Sequence, residues 1–329
     1  GKNSAVQIVE KVCGTYKLNA DVLKRILLRG SVHNKKVAIL SVAGAFRKGK
    51  SFLLSNIVRY LECKNGEGND WMDPNAAITG FTWRRDTEAV TEGILMWPEP
   101  FLAKDEQGEE YAILLLDTEG AFGLKSSFGE SATIFSLAAL LSSVLVYNIM
   151  QDVQEDSLNH LQFFAKYGSF VLDEDNINAP FQSLLFLIRD WQNSDEFGFE
   201  GGRKLLDHKF KDASSDPCQQ TLRNDIKRSF AEIKCALLPS PGGKICRGSE
   251  GKITVDDMSQ DFKEELGDLV PRVFNTLMRP KKVGGKAIIG AEFLSLFESY
   301  AKIFASGLMP EPKGIFDAIA EVTHQSALN

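Results

Sequence analysis

Metal and disulfide frameworks are the first things this sequence lacks. Its five cysteines, at 13, 63, 218, 235 and 246, include no CxxC pair, and its four histidines lie far apart. That pattern suggests no cysteine–histidine metal site, and free thiols in a reducing compartment are the simplest reading. A basic excess is missing as well: 38 Lys and Arg face 44 Asp and Glu, a net charge of −6. This balance argues against a general nucleic-acid binder, so no nucleic-acid partner is expected. The N-terminus carries no signal-peptide pattern, and no internal repeat or low-complexity tract interrupts the chain.

Only one uncharged run approaches membrane-spanning length, Ala132 to Met150, ATIFSLAALLSSVLVYNIM. Its second part is rich in β-branched residues, and the pair Ser142-Ser143 suits a junction, so it reads as a buried helix followed by a buried strand. No membrane span is expected in this chain.

What is present suits a soluble globular protein: 43% apolar and 25% charged residues over 329 positions, enough for one large domain or two modest ones. Short apolar runs at 37–44, 111–120, 143–149, 183–190 and 235–239 are each followed by a polar loop and a helical pattern. Unbroken apolar character implies strands covered on both faces. The alternation predicts an α/β fold, a mostly parallel sheet flanked by helices on both faces, with ligands beyond the carboxyl ends of the strands.

Helical spacing joins Leu53, Ile57, Tyr60 and Leu61. It also joins Val153, Leu158, Leu161 and Phe164, behind a capping box predicted from Asp152 and Glu155. Late in the chain Phe262, Leu266, Leu269, Val273 and Leu277 repeat likewise, with Pro271 as a kink candidate. Phe293, Phe297, Tyr300 and Phe304 form a further stripe. LMPEPKG, 308–314, is a Pro/Gly break. The helical pattern after it has no evident surface to pack on, and is expected to begin a further helical domain.

The stretch Gly44-Ala-Phe-Arg-Lys-Gly49-Lys50-Ser51 matches GxxxxGK[ST] and assigns the sheet to the P-loop NTPase class. Its glycines let backbone N–H groups curl around phosphate oxygens, and the following helix adds its positive N-terminal end. Lys50 is expected to reach the β- and γ-phosphates and Ser51 to bind Mg²⁺. Gly44, Phe46, Arg47, Lys48, Gly49 and Phe52 complete the expected nucleotide contacts, although Lys48 also reads as a solvated lysine. Asp117-Thr-Glu-Gly120 closes a strand. Its aspartate can hold Mg²⁺ through water and its glycine N–H can meet the γ-phosphate; DxxG by itself is also a plain strand-ending turn.

Ala121 stands where many switch GTPases carry the glutamine that orients water. Arg47, three residues before Lys50, offers a substitute as an arginine finger in cis; the alternative is a solvated surface arginine. The switch threonine has candidates at 79, 82, 87 and 91. Thr91, just before Glu92-Gly93 and the apolar ILMW, is favoured for Mg²⁺, with a plain loop threonine as the competing reading. No [NT]KxD motif is present. Instead, SLLFLIRD ends in Arg189-Asp190. Asp190 can accept from guanine N1–H and the 2-amino group while Arg189 stacks on the base, or the two form a strand-end salt bridge.

Taken in order, GAFRKGKSFLL, GILMW, LLLDTEGAF, LLSSVLVYN, VQEDSLNHLQFF, FLIRDW and LLPSPG resemble the large GTPases of the dynamin superfamily, atlastins above all, with guanylate-binding proteins as more distant relatives. The resemblance runs from about Ala5 to the C-terminus. It implies an enlarged dynamin-like GTPase domain using GTP/GDP and Mg²⁺. Catalytic roles fall on Arg47, Lys50 and Thr91, Mg²⁺ on Ser51, Thr91 and Asp117, base reading on Arg189 and Asp190, and a guanine-side loop on Pro241 and Gly242. Glu119, the 84–90 loop and Ser240 depart from the atlastin pattern. The implied domains are a GTPase domain at 1–307, a linker at 308–314 and the start of a three-helix bundle at 315–329. The implied biology is a nucleotide-dependent homodimer on the cytosolic face of the endoplasmic reticulum, fusing membranes through segments outside this soluble chain. A nucleotide-gated scaffold with little hydrolysis, and a P-loop ATPase or phosphotransferase, stay open on the residues alone.

Overall fold

The fold was read from a computed structural model that describes residues 4–44, 48–66, 70–81, 93–119, 128–161, 179, 181–211, 217–247, 253–306 and 310–328. Phe46, Arg47, Thr91 and Gly120 lie outside these residues, as do Thr82, Thr87 and Phe164.

The five apolar runs become five parallel strands. They are β3 (Lys36–Gly44), β6 (Glu110–Glu119), β7 (Val144–Met150), β8 (Phe181–Arg189) and β9 (Phe230–Leu237), side by side in the order β6-β3-β7-β8-β9. The last begins five residues before the predicted run. Antiparallel strands widen the sheet beyond β6 to nine among the described residues: β1 (Val6–Val12), β2 (Thr15–Leu18), β4 (Gly93–Met96) and β5 (Phe101–Lys104). Alternate residues of β3 serve opposite faces, as strand geometry requires. Val37, Ile39 and Ala43 join one buried cluster, while Ala38, Leu40 and Val42 join the other.

One face is covered by α2 (Lys50–Lys64) and the helix Gln260–Arg272, the other by α1 (Ala20–Leu27), α3 (Phe128–Leu141) and the helix Gly290–Phe304. The long uncharged run resolves into α3 and β7. At their junction the Ser142 hydroxyl lies 2.6 Å from that of Ser41, and the Ser143 hydroxyl accepts from Ile39 N–H at 3.1 Å. No helix among the described residues is long and apolar enough to cross a membrane. After Pro271 the late helix widens into one π-type turn, Val273–Leu277, so the proline changes the hydrogen-bond pattern without stopping the helix.

Two expectations change. No capping box forms at α4 (Glu155–Asn159): its N-cap is Gln154, without a side-chain cap. Asp152 is held by Lys209 Nζ at 2.7 Å and Glu155 by Arg223, so distant cations claim both carboxylates. The terminal helix, Pro312–Leu328, begins inside the expected linker. It does find a surface: Ile315 and Ala318 are buried in the cluster that contains Phe297, Tyr300 and Phe304.

Candidate functional site

Every described site residue sits at one edge of the sheet. Gly44 ends β3, Asp117 lies near the end of β6, and Arg189 ends β8 with Asp190 following. Register aligns them, Val42 opposite Asp117 and Gly44 opposite Asn148 of β7. The cleft beyond the carboxyl ends of parallel strands is where such sheets bind ligands.

Gly49 is the N-cap of α2 in the left-handed conformation, φ 81°, which only glycine adopts without penalty. The turn brings the first N–H groups of α2, and the positive end of its dipole, to the cleft. Lys50 opens the helix and is buried, whereas Lys48 is exposed. Phe52 is 3% exposed and packs against Phe262, ring centroids 6.1 Å apart; its ring is core, leaving only its backbone for a ligand.

The Ser51 hydroxyl donates to Asp117 Oδ2 at 2.5 Å. Asp117 is fully buried, and its Oδ1 has no partner among the described residues. Burial pushes its carboxyl above the ordinary range, against the opposing pulls of Lys50 and the Ser51 hydroxyl. A buried carboxylate with one idle oxygen beside a hydroxyl fits a hard divalent cation that completes its shell with waters and phosphate oxygens. Ser51 and Asp117 would hold it. Among the described residues no cluster of three His, Cys, Asp or Glu side chains exists to form an all-protein cage, and magnesium at a phosphate site needs none.

Arg189 is 3% exposed and lies over the Phe262 ring, 5.4 Å from its centroid. A Cβ at Gly49 would fall 3.0 Å from its Nη1, so the guanidinium abuts the phosphate loop. Asp190 is half-buried with φ 54°, a left-handed conformation that aspartate tolerates better than most residues. Its carboxylate makes no hydrogen bond among the described residues, while its neighbour Trp191 N–H is fixed to Leu238 O at 3.0 Å. Pro241 and Gly242 border the same edge after β9, held by Ser259 N–H to Pro241 O at 2.9 Å and Ser259 Oγ to Ser240 O at 2.7 Å.

Asn148 was not foreseen in the sequence. Its carboxamide donates to Lys48 O at 2.9 Å, tying β7 to the phosphate loop. The available signal was a polar residue near the carboxyl end of an otherwise apolar strand.

A family model described as "Guanylate-binding protein, N-terminal domain" matches residues 14–282. The chain belongs to this family. The guanylate-binding match takes in the whole cleft, from Gly44 to Gly242, and ends before the helix Gly290–Phe304. Relatives include Atlastin from Drosophila melanogaster, 39% identical over 337 residues, covering 99% of this chain and 61% of that protein. Atlastin-3 of Mus musculus is 38% identical over 336 residues, covering 99% and 62%. Atlastin-1 of Bos taurus is 38% identical over 333 residues, covering 99% and 59%. The chain thus spans about three-fifths of the length of these relatives.

Proposed function

We propose that this chain binds and hydrolyses GTP as the head domain of an atlastin-like protein. The observation that carries the reading is the Gly49 turn into α2 with Lys50 and Ser51 at its start, and Ser51 bonded to Asp117 of β6. A lysine, a helix end whose N–H groups suit an anion, and a hydroxyl–carboxylate pair that suits a cation support the reading together. When bound, Mg²⁺ would neutralise charge on the β- and γ-phosphates. Lys50 orients the phosphates, Asp190 selects guanine, and Pro241 and Gly242 border the base. Arg47 acts as an arginine finger in cis and Thr91 would help hold the cation; both roles rest on the resemblance of the sequence around them. The same resemblance supports nucleotide-dependent head-to-head homodimerisation, coupled in the whole protein to tethering and fusion of endoplasmic-reticulum membranes from the cytosolic side.

Phosphate release with GTP and with ATP tests the reading. GTP should be hydrolysed and ATP should not; Lys50→Ala should abolish nucleotide binding. Arg47→Ala should still bind GTP but lose turnover on the order of 10³-fold. Hydrolysis of ATP and GTP at equal rates, or micromolar GTP affinity in Lys50→Ala, would overturn it. Light scattering with GDP, a non-hydrolysable GTP analogue and a transition-state mimic tests dimerisation.

A further inference from the structure

We propose that Asn148 and Arg189 form a pair of positioning residues that hold the phosphate loop from beneath, and that Arg189 serves the phosphates rather than the base. This rests on the nucleotide reading above and moves Arg189 away from the base-reading role that the sequence resemblance implies.

The two side chains come from adjacent parallel strands. In register, Asn148 of β7 faces Leu187 of β8 and Met150 faces Arg189. Asn148 Nδ2 donates to Lys48 O at 2.9 Å. The Arg189 guanidinium abuts Gly49, where an added Cβ would meet Nη1 at 3.0 Å and Nη2 at 3.4 Å. Asn148 thus bonds to residue 48 and Arg189 lies beside residue 49, the pair immediately before Lys50. Asn148 is 1% exposed and Arg189 3%. An arginine that stacks on a base must offer a face of its guanidinium to an open cleft. Here the group is enclosed, with Phe262 on one side and Gly49 close by.

The pair also has unused capacity. Arg189 Nε and Nη1 have no acceptor among the described residues, and Asn148 Oδ1 has no donor. Buried donors without acceptors are costly and rare. A loop that wraps an anion turns its N–H groups inward and its carbonyls away from the ligand. A donor beneath the loop is then what a carbonyl on that side needs. Lys48 O has its donor in Asn148, and two further donors of Arg189 lie idle beside Gly49.

The test compares GTP, GDP and GMP affinities, and the preference for GTP over ATP, in Arg189→Met, Arg189→Lys and Asn148→Asp. Loss of the pair should weaken GTP and GDP about tenfold, the worth of one well-made buried hydrogen bond. GMP should change far less and the GTP-over-ATP preference should stay. Arg189→Lys should recover part of the loss, and the double variant should fall short of additivity because both groups hold one loop. An equal loss across GTP, GDP and GMP, with collapse of the preference for guanine, would return Arg189 to the base and overturn the proposal; so would unchanged affinities. A measurement on the wild type covers variants that fail to fold. The Arg189 Nε–H resonance should shift with pyrophosphate alone and not with guanosine, and the reverse result overturns the proposal. If Lys50→Ala leaves GTP binding intact, the nucleotide reading itself has failed and takes this one with it.

Discussion

Lys281 is a buried lysine at the edge of the sheet away from the cleft, and its titration should govern stability over a defined pH range. It is 4% exposed, and its backbone is clamped by Val37 O at 2.7 Å and Ile288 N at 2.9 Å. The ammonium donates to Ser142 O at 2.9 Å, just past the C-terminus of α3, where the helix dipole favours a cation. It makes no ion pair among the described residues. Burial dominates, and lowers its pKa from 10.5 to about 7. Between those values the unfolded chain holds a proton that the folded chain does not, so stability rises with pH across that window and is flat below about pH 7. The slope is about 1.4 kcal/mol per pH unit, or about 5 kcal/mol over the window. At about 2 cal/mol/K of unfolding entropy per residue, a chain of 329 residues gains about 2 °C in melting temperature per pH unit. Lys281→Met keeps the apolar stem and removes the titration. Scanning calorimetry of both proteins from pH 6 to 10.5, compared as a difference, cancels every other titrating group. The methionine variant should gain most at and below pH 7 and lose its advantage as pH approaches 10.5. A difference constant with pH would refute the reasoning.

Further predictions concern the site and the domain edge. Gly44→Ala places a Cβ 2.2 Å from Asn148 O at a φ of 144°; overpacking of this kind costs about 1–3 kcal/mol, so both melting temperature and GTP affinity should fall, and unchanged values would contradict the geometry. Asp117→Asn removes a buried charge whose neutral form the fold favours. The variant should melt no lower than wild type yet lose the magnesium dependence of GTP binding, as titrations with Mg²⁺ and with EDTA would reveal. Ile315→Ala empties a fully buried position and should destabilise the whole domain by about 2–5 kcal/mol; a denaturation midpoint equal to wild type would mean the terminal helix is separate from the core.

Local patterns carried much of this protein in the sequence. Continuous apolar runs specified the five parallel strands because strands covered on both faces tolerate few polar residues along their length. Glycine spacing marked the turn into α2, because the left-handed conformation of Gly49 strains most residues that carry a side chain. The antiparallel strands were harder to read. β5 has four residues, Phe101–Lys104, and its pairing with Glu110–Ile113 follows from chain reversal, not composition. The capping box at Asp152 and Glu155 failed for a similar reason: Lys209 and Arg223, more than fifty residues away, compete for the carboxylates.

By itself the sequence determined the layered α/β architecture, the glycine turn between β3 and α2, and the family, since each depends on residues adjacent in the chain or periodic along it. Only the tertiary structure decided that Arg189 is enclosed beneath Gly49, that Asn148 grips the loop, that Lys281 is buried without a counter-ion among the described residues, and that Ile315 finds a surface. In all four cases the environment comes from segments far apart in the chain, and desolvation and hydrogen-bond partners exist only once those segments meet.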